Sequence, residues 1–586
     1  MNQAARWALV VGAAGALGVA GGCGGGGTST TGTGTAGKQG GKLTVLSAGD
    51  IDYLDPGQTY YSFGYMVSYA VNRTLYGITP SDPVNAVPDL ADGPPVISSD
   101  NKTITIKLKK GVKYAPPVNR EVTAGDVKYA FERAFSRNVP SPYASLYFTS
   151  VLGAPAPQSG PIAPIAGIQA PDDSTLVIRL KDPSAPLVVQ ALVMPITTPV
   201  PKEYASKYDA SVPSTYDQYV AFTGPYMVKN DASGKVSRVP GKSIPLIRNP
   251  NWDKATDYRP AYLDEILFQE GNDDLATASR RALSGSASFC CDSGSPPAEV
   301  LKEALSRQKD QVLRVATGSN RFIAFNTSVA PFDNLNVRKA IIAVTDRNAL
   351  RLTRGGEVLG PIANGFIPPG LPGFEEAGGL QQNVDLDFLK SPTGDPAVAR
   401  KYMDAAAVDG LPIKDGKWTG QDKILTVAVS VDPAKKTAEN FQSQIEALGF
   451  KLNLRTVPPD AMYTKFCGVP AQKVALCPNV ANGKDFADPQ TVLEPNFDGK
   501  NIVPQGNVNW SQLNVPAIND AMAAAAQLPP GSDRSSAWAQ INHLIADQAP
   551  AIPFLWDDYI AVASKDVNGV MNTQSISLDL NYTSIK

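Results

Sequence analysis

Few residues of this chain are of the types that perform catalysis, and their spacing matches no catalytic centre. His543 is the one histidine among 586 residues, so the sequence offers neither a triad with a second histidine nor a histidine-rich metal centre. Residues 12–18 contain glycines spaced as in a nucleotide-binding loop, but they lie within an apolar N-terminal segment. No motif with a phosphate-binding Lys and Ser/Thr occurs elsewhere. We therefore predict that the protein is not an enzyme.

Five cysteines are the other residues with distinctive chemistry. Because the N-terminus indicates export, we expect a disulfide between Cys467 and Cys477, which flank a short loop. The adjacent Cys290 and Cys291 either form a strained disulfide with each other or stay buried as thiols. A zinc site needs tetrahedral ligands, and an adjacent pair lacks the usual spacer of about two to four residues. We therefore predict no bound metal and no cofactor.

The N-terminus has the pattern of a secretory signal that ends at a lipidated cysteine. After Arg6, residues 7–20 are uncharged, and this apolar part is shorter than the roughly 20 residues that span a bilayer. Small residues precede Cys23, as in lipoprotein signals in which the cysteine is diacylated and the peptide is cut before it. Ala20 stands where that pattern prefers Leu, and the alternative is ordinary secretory cleavage beside a chance cysteine. The Gly/Thr/Ser tract at residues 24–41 cannot bury a core, so we predict a flexible tether.

Length and charge narrow the class of protein further. A chain of 586 residues exceeds a single core and suggests three or more structural units. Charged residues make up 18% of the chain and the net charge is −2. The composition therefore gives no sign of the basic surface that a nucleic-acid-binding protein needs.

Apolar patterns predict a mixed α/β fold. Period-2 alternation predicts strands at residues 103–108 and 175–180, with a helix between them that begins with a capping box at Thr123. Apolar strands at residues 424–430 and 451–457 flank another helix. A packed helix between two strands predicts a parallel βαβ unit with a right-handed crossover.

Residues 321–350, RFIAFNTSVAPFDNLNVRKAIIAVTDRNAL, predict a strand, a turn and a helix. Residues 321–326 form a short apolar run typical of a buried strand, and a helical apolar stripe follows at Val337, Ala340, Ile341 and Val344. The successive motifs FN, PFDN, VRKA and DR resemble the segment that opens the second lobe in family 5 extracellular solute-binding proteins. Those proteins are the peptide- and nickel-binding receptors of bacterial ABC importers.

Further motifs extend the resemblance from about residue 43 to residue 570. They are LDP at residues 54–56, VTAGDV at 122–127, GPY at 224–226, RNPNW at 248–252 and KDFADPQ at 484–490. The resemblance implies a two-lobed α/β fold of the type II periplasmic-binding-protein kind, with an extra domain inserted beside lobe 1. The division that we expect is a signal peptide at residues 1–22, a tether at 23–41, lobe 1 at 42–86, 218–317 and 538–586, the inserted domain at 87–217, and lobe 2 at 318–537.

The resemblance also implies where a ligand binds. The KDFADPQ run is similar to the family's Asp-Tyr-x-Asp-Pro segment, in which the first aspartate can hold the amino group of a peptide. Asp485 takes that position and Phe486 follows it, whereas Asp488 is expected to cap a helix. A carboxylate suits this role because its bond to an ammonium strengthens as water is excluded. A turn role is the alternative for Asp485. In the family, the early aromatic region faces the cleft, so we expect it to be lined by Tyr53, Tyr60 and Phe63, although aromatic stripes also serve as core.

The implied function is that of a substrate-binding lipoprotein of an ABC importer. Such a protein captures a dipeptide or oligopeptide between its lobes and delivers it to a membrane permease. We expect a monomer held by Cys23 at the outer face of the cell membrane. Because the tryptophan that often precedes the Asp-Tyr-x-Asp-Pro segment is replaced by Asn482-Gly483-Lys484, a same-fold receptor for an oligosaccharide, haem or metal chelate is an alternative. An exported enzyme is a second alternative.

Replacing Cys23 by serine tests the anchor. If Cys23 carries acyl chains, the wild-type protein stays with the membrane, because two or more chains give an anchoring that one chain does not. The Cys23→Ser protein should be released into the medium or retained as uncut precursor. Immunoblots of membrane and soluble fractions measure this, and equal membrane-bound amounts of the two proteins would contradict lipidation.

Overall fold

A computed structural model describes residues 37–586 except 61, 292–293, 459–460, 505 and 575–576. Cys23, the predicted signal peptide and most of the predicted tether therefore lie outside the described residues. Within the described ranges, no helix has both the length and the apolar character needed to cross a membrane.

Most strands of the described ranges are short, and two are much longer. In chain order they are β1 (Lys42–Leu46), β2 (Tyr76–Thr79), β3 (Asp82–Pro88), β4 (Val96–Ile97), β5 (Thr103–Lys107), β6 (Ile168–Asp172), β7 (Thr175–Arg179), β8 (Tyr226–Val228), β9 (Ser243–Arg248), β10 (Glu265–Gln269), β11 (Ser288–Cys290), β12 (Val312–Phe325), β13 (Ile413–Lys414), β14 (Lys417–Trp418), β15 (Ile424–Val429), β16 (Leu452–Val457), β17 (Leu476–Gly483), β18 (Ala551–Ala563), β19 (Val567–Asn568), β20 (Met571–Asn572), β21 (Ser577–Leu578) and β22 (Ser584–Ile585).

The α-helices cover the sheets and fill the connections between strands. In chain order they are α1 (Ser62–Val71), α2 (Ala124–Ala134), α3 (Pro142–Tyr147), α4 (Ala185–Gln190), α5 (Lys202–Asp209), α6 (Leu275–Ser284), α7 (Ala298–Arg307), α8 (Leu335–Val344), α9 (Arg347–Arg354), α10 (Asp387–Lys390), α11 (Pro396–Val408), α12 (Ala434–Glu446), α13 (Gln490–Phe497), α14 (Pro516–Ala526) and α15 (Ser532–Asp547). A π-helical turn also occurs at Met462–Cys467.

One large sheet runs through the molecule, in the order β16-β15-β17-β12-β18-β11-β1-β10-β9-β8. The long strands β12 and β18 pair antiparallel in its middle. Strands β15, β16 and β17 lie on one side of this pair, and strands β1 and β8–β11 lie on the other. The two sides of the sheet are therefore joined through β12 and β18.

The pairing of β12 with β18 is interrupted at two places, one between Ala316 and Ser319 and one between Arg321 and Phe322. Ala316 pairs with Asp558 and Ser319 with Asp557, so two residues of β12 bulge out between them. One of these is Gly318, whose φ of +67° is a conformation that glycine adopts without the strain that a Cβ would add.

Separate hydrophobic cores lie on the two sides of the pair. Strands β15–β17 and the helices α8–α15 enclose a core that includes Phe322, Phe441 and Trp538. On the other side, β1 and β8–β11 enclose a core that includes Val45, Phe222 and Phe289.

A second, four-stranded sheet, β4-β5-β7-β6, packs with α2, α3 and α4 around a third core. All members of that core come from residues 65–221 except Phe486, which enters it from the segment after β17. The buried Arg133 of α2 attaches this part to the first strands, because its guanidinium binds Asp55 at 2.7 Å and Asp209 at 2.6 Å.

Several local predictions are confirmed by these elements. Helix α8 buries Val337, Ala340 and Ile341, and α2 begins with the predicted capping box of Thr123 and Asp126. Strands β15 and β16 are parallel and joined through α12, as the βαβ prediction requires.

One local prediction was wrong in detail. The strand predicted at residues 321–326 begins at Val312, because its pairing with β18 continues far beyond the apolar run. Arg338 does not belong to the apolar stripe of α8, but it is only 5% exposed. Its guanidinium donates to backbone oxygens including those of Phe332 at 2.6 Å and Gln548 at 2.8 Å, which satisfies the buried charge.

The cysteines of the described ranges lie in two bonded pairs. Cys467 and Cys477 have an S–S distance of 2.17 Å and a Cα–Cα distance of 6.1 Å. The sulfur atoms of Cys290 and Cys291 are also bonded to each other, in a small core beside α6 and α7. The Cys467–Cys477 pair attaches the turn before β17 to the strand itself.

Removing the Cys467–Cys477 bond should destabilise the protein. Closing a loop of this length restricts the unfolded chain by about 2–3 kcal/mol, so Cys467→Ala with Cys477→Ala should lower the free energy of unfolding by roughly that amount. Urea unfolding of the two proteins measures the difference. Non-reducing peptide mapping is the control, and free alkylated Cys467 and Cys477 in wild type would contradict the bond.

Candidate functional site

Asp485 lies two residues beyond the end of β17 and meets groups from the other side of the large sheet. The Tyr147 hydroxyl, at the end of α3, donates a hydrogen bond to its Oδ2 atom. The Gln574 side-chain amide donates to the backbone oxygen of Asp485 at 3.3 Å and to the Tyr69 hydroxyl at 3.0 Å. Asp485 is therefore held where three parts of the chain, distant in sequence, meet.

Tyrosines form a wall beside this carboxylate. The rings of Tyr143 and Tyr147 stack with centroids 6.5 Å apart, and Tyr60 packs against Tyr143 with centroids 5.6 Å apart. Burial and the nearby Asp485 charge raise the pKa of both Tyr143 and Tyr147 well above 10, so both hydroxyls stay protonated. The wall presents hydroxyl donors and aromatic faces to Asp485.

The Asp485 carboxyl group is enclosed but has no cationic partner. Part of the residue's surface is exposed, although many protein atoms surround its carboxyl group. Burial raises the pKa of Asp485 to about 6, and the hydrogen bond from Tyr147 opposes this rise. Among the described residues, no Lys, Arg or His forms an ion pair with Asp485, and its Oδ1 accepts no hydrogen bond. A positively charged group of a ligand would therefore find an open acceptor here.

The neighbouring Lys484 points elsewhere. Its side chain packs on Gly318, where a Cβ would lie 2.9 Å from the Lys484 Cδ atom. Burial lowers the pKa of Lys484 to about 8. Lys484 thus rests against the bulge of β12 and leaves Asp485 without a counter-charge.

Asp488 differs from Asp485 because its carboxylate is fully engaged. Arg534 binds its two oxygens at 2.7 and 3.0 Å, and the Gln490 backbone N–H donates to Oδ1 at 2.9 Å. The predicted cap is wrong in detail, because the N-cap of α13 is Pro489 and Asp488 precedes it, bonded to the Gln490 N–H and held in a buried ion pair that the sequence did not indicate. Gln190 of α4 also donates to Asp488 at 3.3 Å.

The structure brings some of the predicted ligand-binding residues together. Phe486 is buried and meets Tyr147 edge-to-face, with centroids 5.0 Å apart, and Tyr60 joins the tyrosine wall. Tyr53 is 41% exposed and lies beside the carboxylates of Asp52 and Asp217, with no described contact to the Asp485 group. The backbone of Phe63 belongs to α1, and its side chain lies outside what the structure describes.

Sequence reasoning missed the residues that approach Asp485 from afar. Tyr143 and Tyr147, four residues apart in the short helix α3, are an aromatic pair on one helix face, and this spacing was the available signal. No local pattern marked Gln574, whereas Tyr69 belongs to the early aromatic region that was expected to face the cleft.

The described part of the chain contains no cluster of potential metal ligands. No group of three or more His, Cys, Asp or Glu side chains is placed there to hold a metal ion. His543 contacts Asn383 at 3.1 Å through Nδ1 and keeps 45% of its side chain exposed.

Comparison with known proteins gives a consistent result. A family model described as bacterial extracellular solute-binding proteins, family 5, matches residues 85–503. The curated dipeptide-binding protein of Pseudomonas aeruginosa is 25% identical over 496 residues, which cover 83% of this chain and 84% of that protein.

Solved structures share the fold. The clavulanic acid biosynthesis oligopeptide binding protein 2 has a TM-score of 0.79 at 24% identity, covering 94% of this chain and 96% of that one. Haemophilus influenzae OppA in complex with RPPGFSPFR has a TM-score of 0.72 at 18% identity, covering 94% and 99%. The predicted two-lobed α/β fold of the type II periplasmic-binding-protein kind is thereby confirmed.

Replacing Asp485 by asparagine should change how stability depends on pH. The pKa of Asp485 is about 6 in the folded protein and about 4 in an unfolded chain, so ionisation opposes folding. The stability contributed by the protonated carboxyl is present below about pH 4 and is lost as pH rises to about 6. Between these limits, wild type should lose roughly 2–3 kcal/mol relative to Asp485→Asn.

Urea unfolding of both proteins between pH 4 and pH 8 measures this difference. Tyr147→Phe provides a second comparison, because loss of the hydroxyl should raise the pKa of Asp485 and enlarge the loss of stability. Parallel pH profiles for wild type and Asp485→Asn would show that the carboxyl group is not strained by burial.

Proposed function

The chain belongs to family 5 of the bacterial extracellular solute-binding proteins, and from this premise we propose that it captures peptides for an ABC importer. The peptide would bind between the two lobes, and the closed form would be presented to a membrane permease. Residues 42–86, 218–317 and 538–586 would form lobe 1, with residues 87–217 inserted beside it and 318–537 forming lobe 2.

The observation that carries this proposal is the open carboxylate of Asp485 beside the tyrosine wall. A peptide ammonium can bind the free Oδ1 atom while the Tyr147 hydroxyl continues to hold Oδ2. The aromatic faces of Tyr60 and Tyr143 add attraction for a cation. Exclusion of water as the lobes close strengthens each of these interactions. Phe486 would line the same site through its contact with Tyr147.

The names of the relatives support a peptide as the solute. The Pseudomonas aeruginosa relative is a dipeptide-binding protein, and the Haemophilus influenzae structure is a complex with the nine-residue peptide RPPGFSPFR. An extended peptide can pair its main chain with strand edges while its side chains enter separate pockets. Such recognition suits a receptor that accepts varied sequences.

The large sheet contains a connection at which the two lobes could hinge. Only β12 and β18 connect the two sides of the large sheet within the described ranges, and the bulge at Gly318 lies in that connection. Residues at such crossings absorb the backbone changes of hinge closure. We assign the hinge to this part of β12 and β18.

The proposed setting is the outer face of the cell membrane. Cys23 would carry the lipid anchor, and the Gly/Thr-rich tether would let a monomer reach its permease. Binding is proposed without catalysis or a cofactor, because the Asp485 site contains no nucleophile and base in the relative positions that acyl or group transfer requires.

Calorimetry with an amino-blocked peptide pool tests the role of Asp485. Wild type should bind a pool of short peptides more tightly than the same pool after N-acetylation. Asp485→Asn should lose that preference, at a cost of about 2–5 kcal/mol, or roughly thirty-fold or more in affinity. The change keeps side-chain size, so the melting temperature at low pH serves as the folding control.

Asp488→Asn would be a poor control because Asp488 is structural, so an exposed acid such as Asp404 of α11 is replaced instead. The Asp404→Asn protein should retain the preference for free amino groups. Equal affinity of wild type for both pools would mean that Asp485 does not hold an ammonium, and absence of binding to either pool would contradict peptide capture.

A further inference from the structure

Gln574 connects the C-terminal segment that follows β20 to the candidate site. A glutamine amide carries two N–H bonds on its nitrogen. The Nε2 atom of Gln574 lies 3.3 Å from the backbone oxygen of Asp485 and 3.0 Å from the Tyr69 hydroxyl. The Met194 sulfur is more distant, at 3.9 Å. Because only 8% of Gln574 is exposed, both of its N–H groups are desolvated and matched to acceptors of the protein.

Two neighbouring side chains fix the backbone around Gln574. The Oδ1 atom of Asn572 accepts a hydrogen bond from the Gln574 backbone N–H at 2.9 Å. The Nδ2 atom of Asn572 donates to Asp579 at 2.8 Å, and Asp579 also accepts from the Asn581 backbone N–H at 2.9 Å. All of these residues are buried, so water competes little for their hydrogen bonds. A continuous series of hydrogen bonds therefore leads from Asp579 to the backbone of Asp485.

Tyr69 shows that this series lies close to the carboxylate as well as to the backbone of Asp485. Burial raises the pKa of Tyr69 above 10, the hydrogen bond from Gln574 lowers it, and the charge of Asp485 raises it. The hydroxyl therefore stays protonated, accepting from Gln574 and donating to the Val193 backbone oxygen at 3.3 Å. Gln574 is thus held between α1 and the segment that follows β17.

Asp485 is held at two different parts of the residue. The Tyr147 hydroxyl donates to the side-chain Oδ2 atom, whereas Gln574 donates to the backbone oxygen. Strand β17 ends at Gly483, so its pairing with β12 no longer fixes the backbone at Asp485. A side chain that binds a ligand has to be held to within about 0.5 Å of its working position by the groups around it. The bond from Gln574 supplies such a restraint where the sheet does not.

We propose that Gln574 is a positioning residue that fixes the backbone of Asp485 and thereby sets the place of its carboxylate when the lobes are together. The inference rests on the proposed function and deepens it, because it names a residue through which lobe 1 completes the amino-group site of lobe 2. Gln574 lies in the proposed lobe 1 and Asp485 in the proposed lobe 2, so opening the lobes breaks this bond. A solute that reaches Asp485 before closure would meet a carboxylate that is not yet held in place.

The variants Gln574→Met and Gln574→Glu remove the donor. Both keep the length of the side chain, which matters because Gln574 lines an enclosed cavity of about 20 Å³ that a shorter side chain would enlarge. Methionine has no N–H group and an ionised glutamate has only acceptors, so neither can donate to Asp485. Gln442→Met is the matched control, because Gln442 donates to Glu446 at 2.8 Å on an exposed part of α12.

Nuclear magnetic resonance detects the contact without any solute. In protein labelled with ¹³C-carbonyl aspartate and ¹⁵N-phenylalanine, a spectrum that correlates the two labels shows signals only where Phe follows Asp, at Asp387–Phe388 and Asp485–Phe486. Both Gln574 variants should move the Asp485 carbonyl signal, because its hydrogen bond is lost, and should leave the Asp387 signal in place. Gln442→Met should move neither signal. An Asp485 signal that stays in place in both Gln574 variants would overturn the proposal.

Calorimetry with the free and N-acetylated peptide pools measures the consequence for binding. Wild type and Gln442→Met should prefer free amino groups. Gln574→Met should reduce that preference about three- to ten-fold, which is the effect of one neutral hydrogen bond. The ratio of the two affinities is decisive, because acetylated peptides do not use the carboxylate of Asp485. An unchanged ratio, with both pools weakened by the same factor, would show that Gln574 only supports the fold or its closure and would overturn the proposal.

Failure of the proposed function would give a different pattern. If wild type bound both pools equally, Asp485 would not hold an ammonium, and that role would be rejected whatever Gln574 does. The carbonyl signal would then decide alone. A signal that moves in both Gln574 variants would support Gln574 as the residue that positions Asp485, and a signal that stays in place would reject it.

Discussion

The antiparallel pairing of β12 with β18 is the interaction on which the rest of the structure depends. All the remaining strands of the large sheet lie on one side or the other of this pair. One ladder of backbone hydrogen bonds therefore sets the relative placement of the two cores. Backbone pairing is insensitive to side-chain identity, which leaves the residues on its two faces free to serve other purposes. Asp557 and Arg321 are carried by these two strands, and Asp485 and Lys484 come at the end of the strand next to them.

Buried charge is handled in two different ways in this protein. Arg133 with Asp55 and Asp209, and Arg534 with Asp488, are complete networks in which donors and acceptors are matched. Asp485 is also largely buried, but no group of opposite charge forms an ion pair with it in the described ranges. An unmatched buried charge lowers the stability of the folded protein, and a partner of opposite charge would recover part of that loss. Asp485 therefore differs from the acidic residues that complete ion pairs within the fold.

Local patterns predicted those parts of the structure that local physics determines. The stripe of α8, the capping box at Thr123 and the parallel unit β15-α12-β16 follow from periodicity and capping chemistry over short spans. The resemblance added the position of Asp485, which no period could indicate. The approach of Tyr147 to Asp485 and the burial of Arg338 depend on contacts between residues far apart in sequence. Their side chains look alike in a sequence whether they are satisfied or not.

The entry of Phe486 into the core formed by residues 65–221 has a kinetic consequence. Separating the lobes would withdraw this ring from an apolar environment into water, at a cost of about 2 kcal/mol. A cost of that size alone would keep the separated form to a few per cent of the molecules. Entry of solute would then be slowed in proportion to the small open fraction, and a solute once enclosed would leave slowly because release also requires opening. Burial of Phe486 would thereby slow the uptake of solute and prolong its retention.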